Sequence, residues 1–418
     1  MFLTEEELVN NTETKKFSQN VSSSYHLEDR NKNVPKLRFK GYNDEWKRIK
    51  LGECLNICRG ASPRPIEKYI TVENNGVNWI KIGDISPKEN VIKNTKEKIT
   101  IDGAKHSRYV RKGDLILSNS MSFGRPYILE IDGCIHDGWL LIQDLEKLFD
   151  KKYLCYLLDS DTVKLQYRKY AAGGVVINLN SELVRSVSVF IPTLPEQEKI
   201  ASFLTLVDKK IEKQKELVEL LKKYKRGLHS QIFNQKLRFK DENGNDYPVW
   251  EEKYIQDVCS ITTGKGNTQD KEENGAYPFY VRSPIVEKSN KYIFDGEAVL
   301  TVGDGVGTGK VFHYVNGKFN FHQRVYKMSN FSNINGRYFY YYFSTHFYDR
   351  VKRMTAKTSV DSVRMDMIAK MPIFIPTNAE QDKIIKLLTN VENIFLKNEN
   401  QLLLLQEYKK GLLQKMFI

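Results

Sequence analysis

The run GDGVGTGK at Gly303–Lys310 is the segment of this chain best suited to phosphate chemistry, because successive glycines leave backbone N–H groups free to cradle oxygens. A nucleotide-binding loop would need a glycine where Asp304 stands and a serine or threonine for magnesium where Val311 stands. The dinucleotide spacing fails as well. What remains is a tight turn suited to a nucleic-acid phosphate. Nuclease-like carboxylate and lysine fragments occur at Glu251/Lys253 and Asp382/Lys383, but the second lies in a heptad-patterned helix, and lysine-rich chains produce such fragments freely. An adenine methyltransferase would hold its flipped base with an (Asp/Asn)-Pro-Pro-aromatic segment, and the chain contains no Pro-Pro dipeptide. No nucleophile has a base partner in sight. These residue types describe a reader rather than a catalyst.

The elements that position such residues are repeated. A stretch starting FIPTLPEQEKI at Phe190 returns as FIPTNAEQDKI at Phe374, an ungapped offset of 184 with 19 of 44 aligned positions identical. KLRFK at Lys36–Lys40 recurs at Lys236–Lys240, each followed by a tryptophan, Trp46 and Trp250. The chain therefore reads as two copies of one unit, globular part first and long helix second, which suggests a ligand in two parts. In the first helix Ile200, Phe203, Val207, Ile211, Val218, Leu221, Tyr224 and Leu228 form a heptad-like seam. Ile384, Leu387, Val391, Phe395, Leu402, Leu405, Tyr408 and Leu412 repeat it in the second. Two such seams most simply pack on each other, antiparallel; the competing possibility is that each packs on its own domain. A helix from Glu196 to Gly227 would run about 45–50 Å.

Strands are expected at Asn78–Ile85 and Asp114–Ser118, answered in the second copy by Tyr277–Val281 and Ala298–Val302. Buried helices are expected around Tyr153 and Tyr338–Phe343, and strands close the units at Pro192 and Pro376. Residues 1–33 are polar and read as a mobile tail, with a capping box open to Thr4 and Glu7.

A length of 418 residues suits two domains, and a formal charge of +13 suits a polyanionic partner, although a merely lysine-rich protein would look the same. The five cysteines, Cys54, Cys58, Cys134, Cys155 and Cys259, are odd in number and scattered, against a disulfide framework. Cys54 and Cys58 could face one side of a helix as metal ligands, but the second copy has Val258 and Thr262 there, so no metal is expected. No apolar run approaches the ~18 residues of a membrane span, and the acidic start MFLTEEE is unlike a signal peptide. A cytoplasmic location is expected.

The doubled FIP-x4-EQ-x-KI, the helices ending Tyr-Lys-(Arg/Lys)-Gly-Leu, and KLRF ahead of a tryptophan in each half resemble the specificity (S) subunit of type I restriction-modification systems. The resemblance covers nearly everything from about Pro35. It implies an α+β chain with two similar mixed α/β target-recognition domains, each followed by a long helix, the two helices pairing as an antiparallel coiled coil. The implied division is a tail at 1–33, recognition domains at 34–192 and 234–376, and spacer helices at 193–233 and 377–418. Each domain would read one half of a split double-stranded DNA target. The helices would space the halves and dock two modification subunits, with Lys210, Glu219, Tyr224 and Tyr408 as candidate docking positions. Partners, not this chain, would carry the cofactors: S-adenosylmethionine for adenine-N6 methylation, and ATP and magnesium for the translocating restriction subunits.

Within that frame the loops left variable between framework strands are the candidate DNA contacts. In the first copy they contribute Arg59, Arg64, Asn119, Ser120, Ser122, Arg125, Arg168, Gly173, Gly174 and Asn178. In the second they contribute Lys265, Asn267, Gln269, Arg282, Ser283, Lys310, Lys357, Thr358 and Arg364. Arginine and lysine suit guanine edges or phosphates, and asparagine and glutamine suit adenine edges. The rival readings are a self-sufficient enzyme, which the missing motifs oppose, and an architectural coiled-coil DNA-binding protein without enzyme partners, which the divergent loops oppose.

Overall fold

The computed structural model describes residues 21–22, 33–84, 91–119, 124–171, 179–305, 307–354 and 362–418. They form two compact units: Met1–Lys213 with Leu402–Ile418, and Gln214–Gln401. The Thr4/Glu7 capping box lies outside the described residues. Of the N-terminal segment, Val21–Ser22 pairs antiparallel with Arg38–Phe39.

In unit 1 the fully buried strand Leu115–Ser118 lies between Trp139–Gln143 and Pro126–Leu129, with Asn56–Arg59 and Val91–Ile92 at the two edges. Strand alternation sends Leu115, Leu117, Leu140 and Ile142 to one apolar layer and Ile116, Trp139 and Leu141 to the other, so this sheet divides the core. A second five-stranded sheet contains Val77–Ile80 paired parallel with Gly133–Ile135. The strand expected to reach Ile85 ends at Ile80. The chain turns through a short 3-10 helix at Ile82–Asp84, where the Asp84 carboxylate accepts the Lys81 N–H, and Ile85 is outside the described residues. Helix Lys151–Asp159 covers the sheet, started by Asp150, whose side chain accepts the Tyr153 N–H.

Unit 2 has one six-stranded sheet in the order Ser260–Thr263, Val325–Ser329, Phe294–Val302, Phe312–Phe321, Tyr277–Tyr280, Val286–Ser289. The alternation repeats: Val299 faces the helix-side core, and Ala298 and Leu300 the opposite layer. Helix Gly336–Met354 supplies the aromatic face Tyr338, Phe339, Phe343 and Phe347.

The repeated motifs join strand, helix and helix start in the same way in both units. The closing strand Ser188–Ile191 pairs antiparallel with Lys47–Lys50, and Pro372–Ile375 with Glu251–Tyr254. Glu196 in the first helix turn is buried and takes a two-pronged bond from Arg38, at 2.8 Å on each oxygen. Glu380 takes the same from Arg238, at 3.0 and 2.8 Å. The neighbouring glutamines donate to the Pro192 and Pro376 carbonyls at 3.0 Å and accept the backbone N–H of Asp150 and Asn335. KLRF and EQ are thus two halves of one buried clasp.

The long helices span Leu194–Phe233 and Asn378–Met416, 40 and 39 residues or roughly 60 Å. The first does not stop at Gly227. Burial of Leu228, Ile232 and Phe233 in the unit 2 core outweighs the modest helix penalty of one glycine. The helices pair antiparallel. In unit 1 Asp208 meets Lys409 at 2.6 Å; in unit 2 Glu392 meets Lys225 at 2.7 Å, and the two bridges are copies of each other at the 184 offset. Within unit 2, Gln214 donates to Asn398, its own counterpart at the 184 offset, at 3.0 Å.

The seam differs from the heptad reading at one rung. Tyr224 and Tyr408 are each 53% exposed, and Lys225 and Lys409 turn inward instead. Lys225 lies seven residues beyond Val218 and Lys409 seven beyond Leu402, so the lysines, not the tyrosines before them, continue the strict seven-residue step.

Cys54 closes the one-turn helix Leu51–Cys54 and Cys58 lies in the following strand, so they share no helix face. Among the described residues no cluster of three or more His, Cys, Asp or Glu could hold a metal, and no helix is long and apolar enough to cross a membrane.

Candidate nucleic-acid interface

In each unit the first sheet strand ends at a glycine pressed against a turn. Gly60 donates to Trp139 O and Gly264 to Val325 O; a Cβ on Gly60 would collide with the His136 carbonyl, and one on Gly264 with the Phe321 carbonyl. The same turn holds the loop after the central strand: Asn119 N–H donates to Gly138 O at 3.0 Å, and Gly303 N–H to Arg324 O at 2.7 Å. Leu179 N–H then donates to Asn119 O, and Val363 N–H to Gly303 O. Three loops nominated from sequence in each copy are therefore drawn together around His136–Gly138 and His322–Arg324, two turns that were not nominated. Their shared signal was available: each histidine opens a short polar break between strands.

Each histidine also fixes its turn. His136 Nδ1 accepts the Gly138 N–H at 2.6 Å and His322 Nδ1 the Arg324 N–H at 3.0 Å. Burial pushes both rings below their usual pKa, which favours the neutral imidazole that an accepting nitrogen requires.

The turns present different groups. In unit 1, Asp137 accepts the Ser62 hydroxyl at 3.0 Å and faces Arg64 at 3.5 Å and Arg59 at 3.9 Å. Burial alone would raise its pKa, but the Ser62 bond, His136 and Arg59 outweigh that and hold the carboxyl below its usual value. Arg59 and Arg64 are 64% and 82% exposed, so the acid orients cations that remain open to solvent. In unit 2 the equivalent residue is Gln323, whose Nε2 donates to Asn267 Oδ1 at 2.8 Å. Asp304 there holds Arg282 at 3.6 Å and Arg324 at 3.5 Å, both exposed.

Among the remaining nominated residues, Asn119 is 7% exposed and donates to Asp137 O, so it supports the turn rather than meeting solvent. Arg125 is half-buried over the Tyr127 ring, and Arg168 is exposed on helix Asp161–Ala171. Lys265 is exposed beside Asn267, and Gln269 lies in the 3-10 turn Thr268–Asp270. Ser283 donates to Ile285 O, Lys310 lies over Tyr348, and Arg364 caps helix Met365–Ala369. Ser120, Ser122, Gly173, Gly174, Asn178, Lys357 and Thr358 lie outside the described residues. On the helices, Lys210, Glu219, Tyr224 and Tyr408 are all exposed.

Two α+β units with equivalent loop clusters and different side chains on them, joined to paired long helices, define a duplicated recognition scaffold. The profile of the type I restriction modification DNA specificity domain matches residues 43–223 and again 248–405, and the chain belongs to that family. Specificity subunits are non-catalytic components of type I restriction-modification systems. The chain is similar to the type I restriction enzyme MjaIX specificity subunit of Methanocaldococcus jannaschii, 24% identical over 250 residues, 56% of this chain and 57% of that protein. It is 25% identical over 171 residues to the EcoDI specificity subunit of Escherichia coli, covering 39% and 37% of the two chains. The matched stretches thus span less than two thirds of these relatives. In fold it resembles the S subunit from M. genitalium, with a TM-score of 0.60 at 14% identity over 92% of this chain and 99% of that one. A chain from a structure concerning complex assembly and conformational transition of the type I R-M system gives 0.55 at 15% identity, covering 90% of this chain and 98% of that one.

Proposed function

We propose that this chain is the DNA-reading subunit of a type I restriction-modification complex, with residues 34–192 reading one half of a split target and residues 234–376 the other. The observation that carries the reading is the pair of turns at His136–Gly138 and His322–Arg324: the same backbone bonds gather the loops, and different side chains stand on them. A scaffold duplicated for bridging alone would have no reason to vary there. The net charge of +13 and the exposed arginines suit a polyanion.

The chain itself neither methylates nor cuts. Residues 193–233 and 377–418 space the two readers and dock two modification subunits in the cytoplasm, one per helix copy, and restriction subunits join through that assembly. Support for equal docking sites comes from Leu220 with Tyr224 and Leu404 with Tyr408: two exposed apolar pairs, 63% and 53%, 65% and 53% accessible, each four residues apart and repeated at the 184 offset. Native mass spectrometry should find two modification subunits per chain at saturation; one would overturn the stoichiometry. Mapping methylated adenines in a strain with and without the gene tests the function directly, since a bipartite motif should disappear with the gene. Inserting a heptad into both helices adds about 10 Å, roughly three base pairs of spacer, with unchanged half-sites. An unchanged spacer in a folded insertion variant would show that the helices are not the ruler.

A further inference from the structure

We infer that the amide pair Asn267–Gln323 is the element of unit 2 that reads an adenine in its half-site. This rests on the DNA-reading function proposed above and adds the residues and the base. Gln323 is attached to the loop carrying Asn267 twice, its N–H donating to Gly266 O at 2.9 Å and its side chain to Asn267 at 2.8 Å, and the Gly266 N–H donates to Phe321 O at the base of the same turn. Both residues are nonetheless exposed. One end of each amide is used by their mutual bond, which leaves one donor-bearing and one acceptor-bearing end for a ligand. Exchanging the oxygen and nitrogen of both amides preserves that outcome, so it does not depend on which way either was placed. The major-groove edge of adenine offers one acceptor, N7, and one donor, the N6 amine, and is the complement of such a pair.

The surroundings separate this role from phosphate binding. Lys265 stands two residues from Asn267, and Arg282 and Arg324 are held on Asp304, so cations suited to the DNA backbone accompany the amide pair, while Asp270 braces Asn267 by accepting its backbone N–H at 2.6 Å. Unit 1 has Asp137 with Arg59 and Arg64 at the equivalent turn and no amide pair there among the described residues, so the two half-sites should differ at the corresponding base.

The test uses the full chain assembled with its modification subunits and duplex libraries in which one half-site at a time is randomised, read as adenine methylation by sequence. Gln323→Ala and Asn267→Ala should each lower the preference for an A·T pair at one position of the half-site read by unit 2 by about tenfold to a hundredfold, with the other half-site unchanged. The near-isosteric Gln323→Glu guards against misfolding and should move the preference at that position toward cytosine, whose N4 amine a carboxylate accepts. Arg324→Ala should instead weaken binding to all sequences alike. An unaltered A·T preference in these variants, or a uniform loss like that of Arg324→Ala, overturns the inference while leaving the DNA-reading function standing. Absence of sequence-dependent methylation by the wild-type complex would remove the function itself.

Discussion

The two units match where the long helix joins the sheet and differ where the sheet ends in loops. The clasps Arg38–Glu196–Gln197 and Arg238–Glu380–Gln381 use the same atoms in the same roles. At the loops, Asp137 in unit 1 becomes Gln323 in unit 2, and two five-stranded sheets give way to one of six strands. A clasp around a buried carboxylate tolerates little change, because removing the arginine strands a charge that water does not reach. A turn held by its backbone can change side chains freely. Even the clasps are unequal: Trp250 Nε1 donates to Glu380 at 3.0 Å, whereas Trp46 Nε1 is buried without a bond among the described residues.

That inequality yields the largest expected effect. Glu380→Ala should destabilise unit 2 by about 3–5 kcal/mol, since it removes the carboxylate to which both Arg238 and Trp250 donate and leaves Arg238 only the Tyr247 and Pro248 carbonyls. Glu196→Ala should cost unit 1 about 1 kcal/mol less, the difference being the tryptophan bond. Chemical denaturation followed by unit-resolved hydrogen exchange would measure both, and equal losses would refute the claimed asymmetry.

Acid should separate the units next. His229, near the end of the first helix, packs on Phe233 and Tyr341; its counterpart at the end of the second helix is Leu413. Burial, with Lys225 adding and Glu392 opposing, lowers the His229 pKa from 6.5 to about 4. The folded value lies below the unfolded one, so protons favour the unfolded state and stability falls as pH drops from about 6.5 toward 4, by about 3 kcal/mol in all. His229→Leu should make that slope shallower in unit 2 without abolishing it, because burial also lowers the pKa values of His313, His322 and His346, and should leave unit 1 unchanged. A slope as steep as before the substitution would place the acid sensitivity in those other histidines.

A smaller effect per contact is expected in recognition. Replacing Ser118 to Arg125 and Arg168 to Asn178 should alter one methylated half-site only, at about 1–3 kcal/mol for each misread base pair. Changes in both halves would end the modular reading. Smallest of all, Lys225→Ala and Lys409→Ala should each cost about 1 kcal/mol and add independently in the double variant, because the copied bridges to Glu392 and Asp208 share no partner.

The duplication, the helix positions and the closing strands were legible because each rests on local pattern: FIP before EQ, apolar residues at helical spacing, alternation in Leu115–Ser118. The family followed from those same motifs. What the motifs do was not legible. Nothing local says that Arg38 reaches Glu196 across 158 residues, or that Gly227 stays helical because Phe233 beyond it is buried in the unit 2 core. The inward lysines at 225 and 409 stand in phase with Val218 and Leu402, but a count of apolar residues passes over a charged side chain.

Residue types alone determined that phosphate-loop, zinc-pair and methyltransferase motifs are incomplete here, and that cations and amides crowd the variable loops. Only the tertiary structure decided which of them meet. Asn119, nominated as a contact, became a buried support, while Asp137 and Gln323, not nominated, became the centres of the two loop clusters. The reason is physical: covalent order sets local conformation, but backbone bonds between distant strands choose which turn each loop end is tied to.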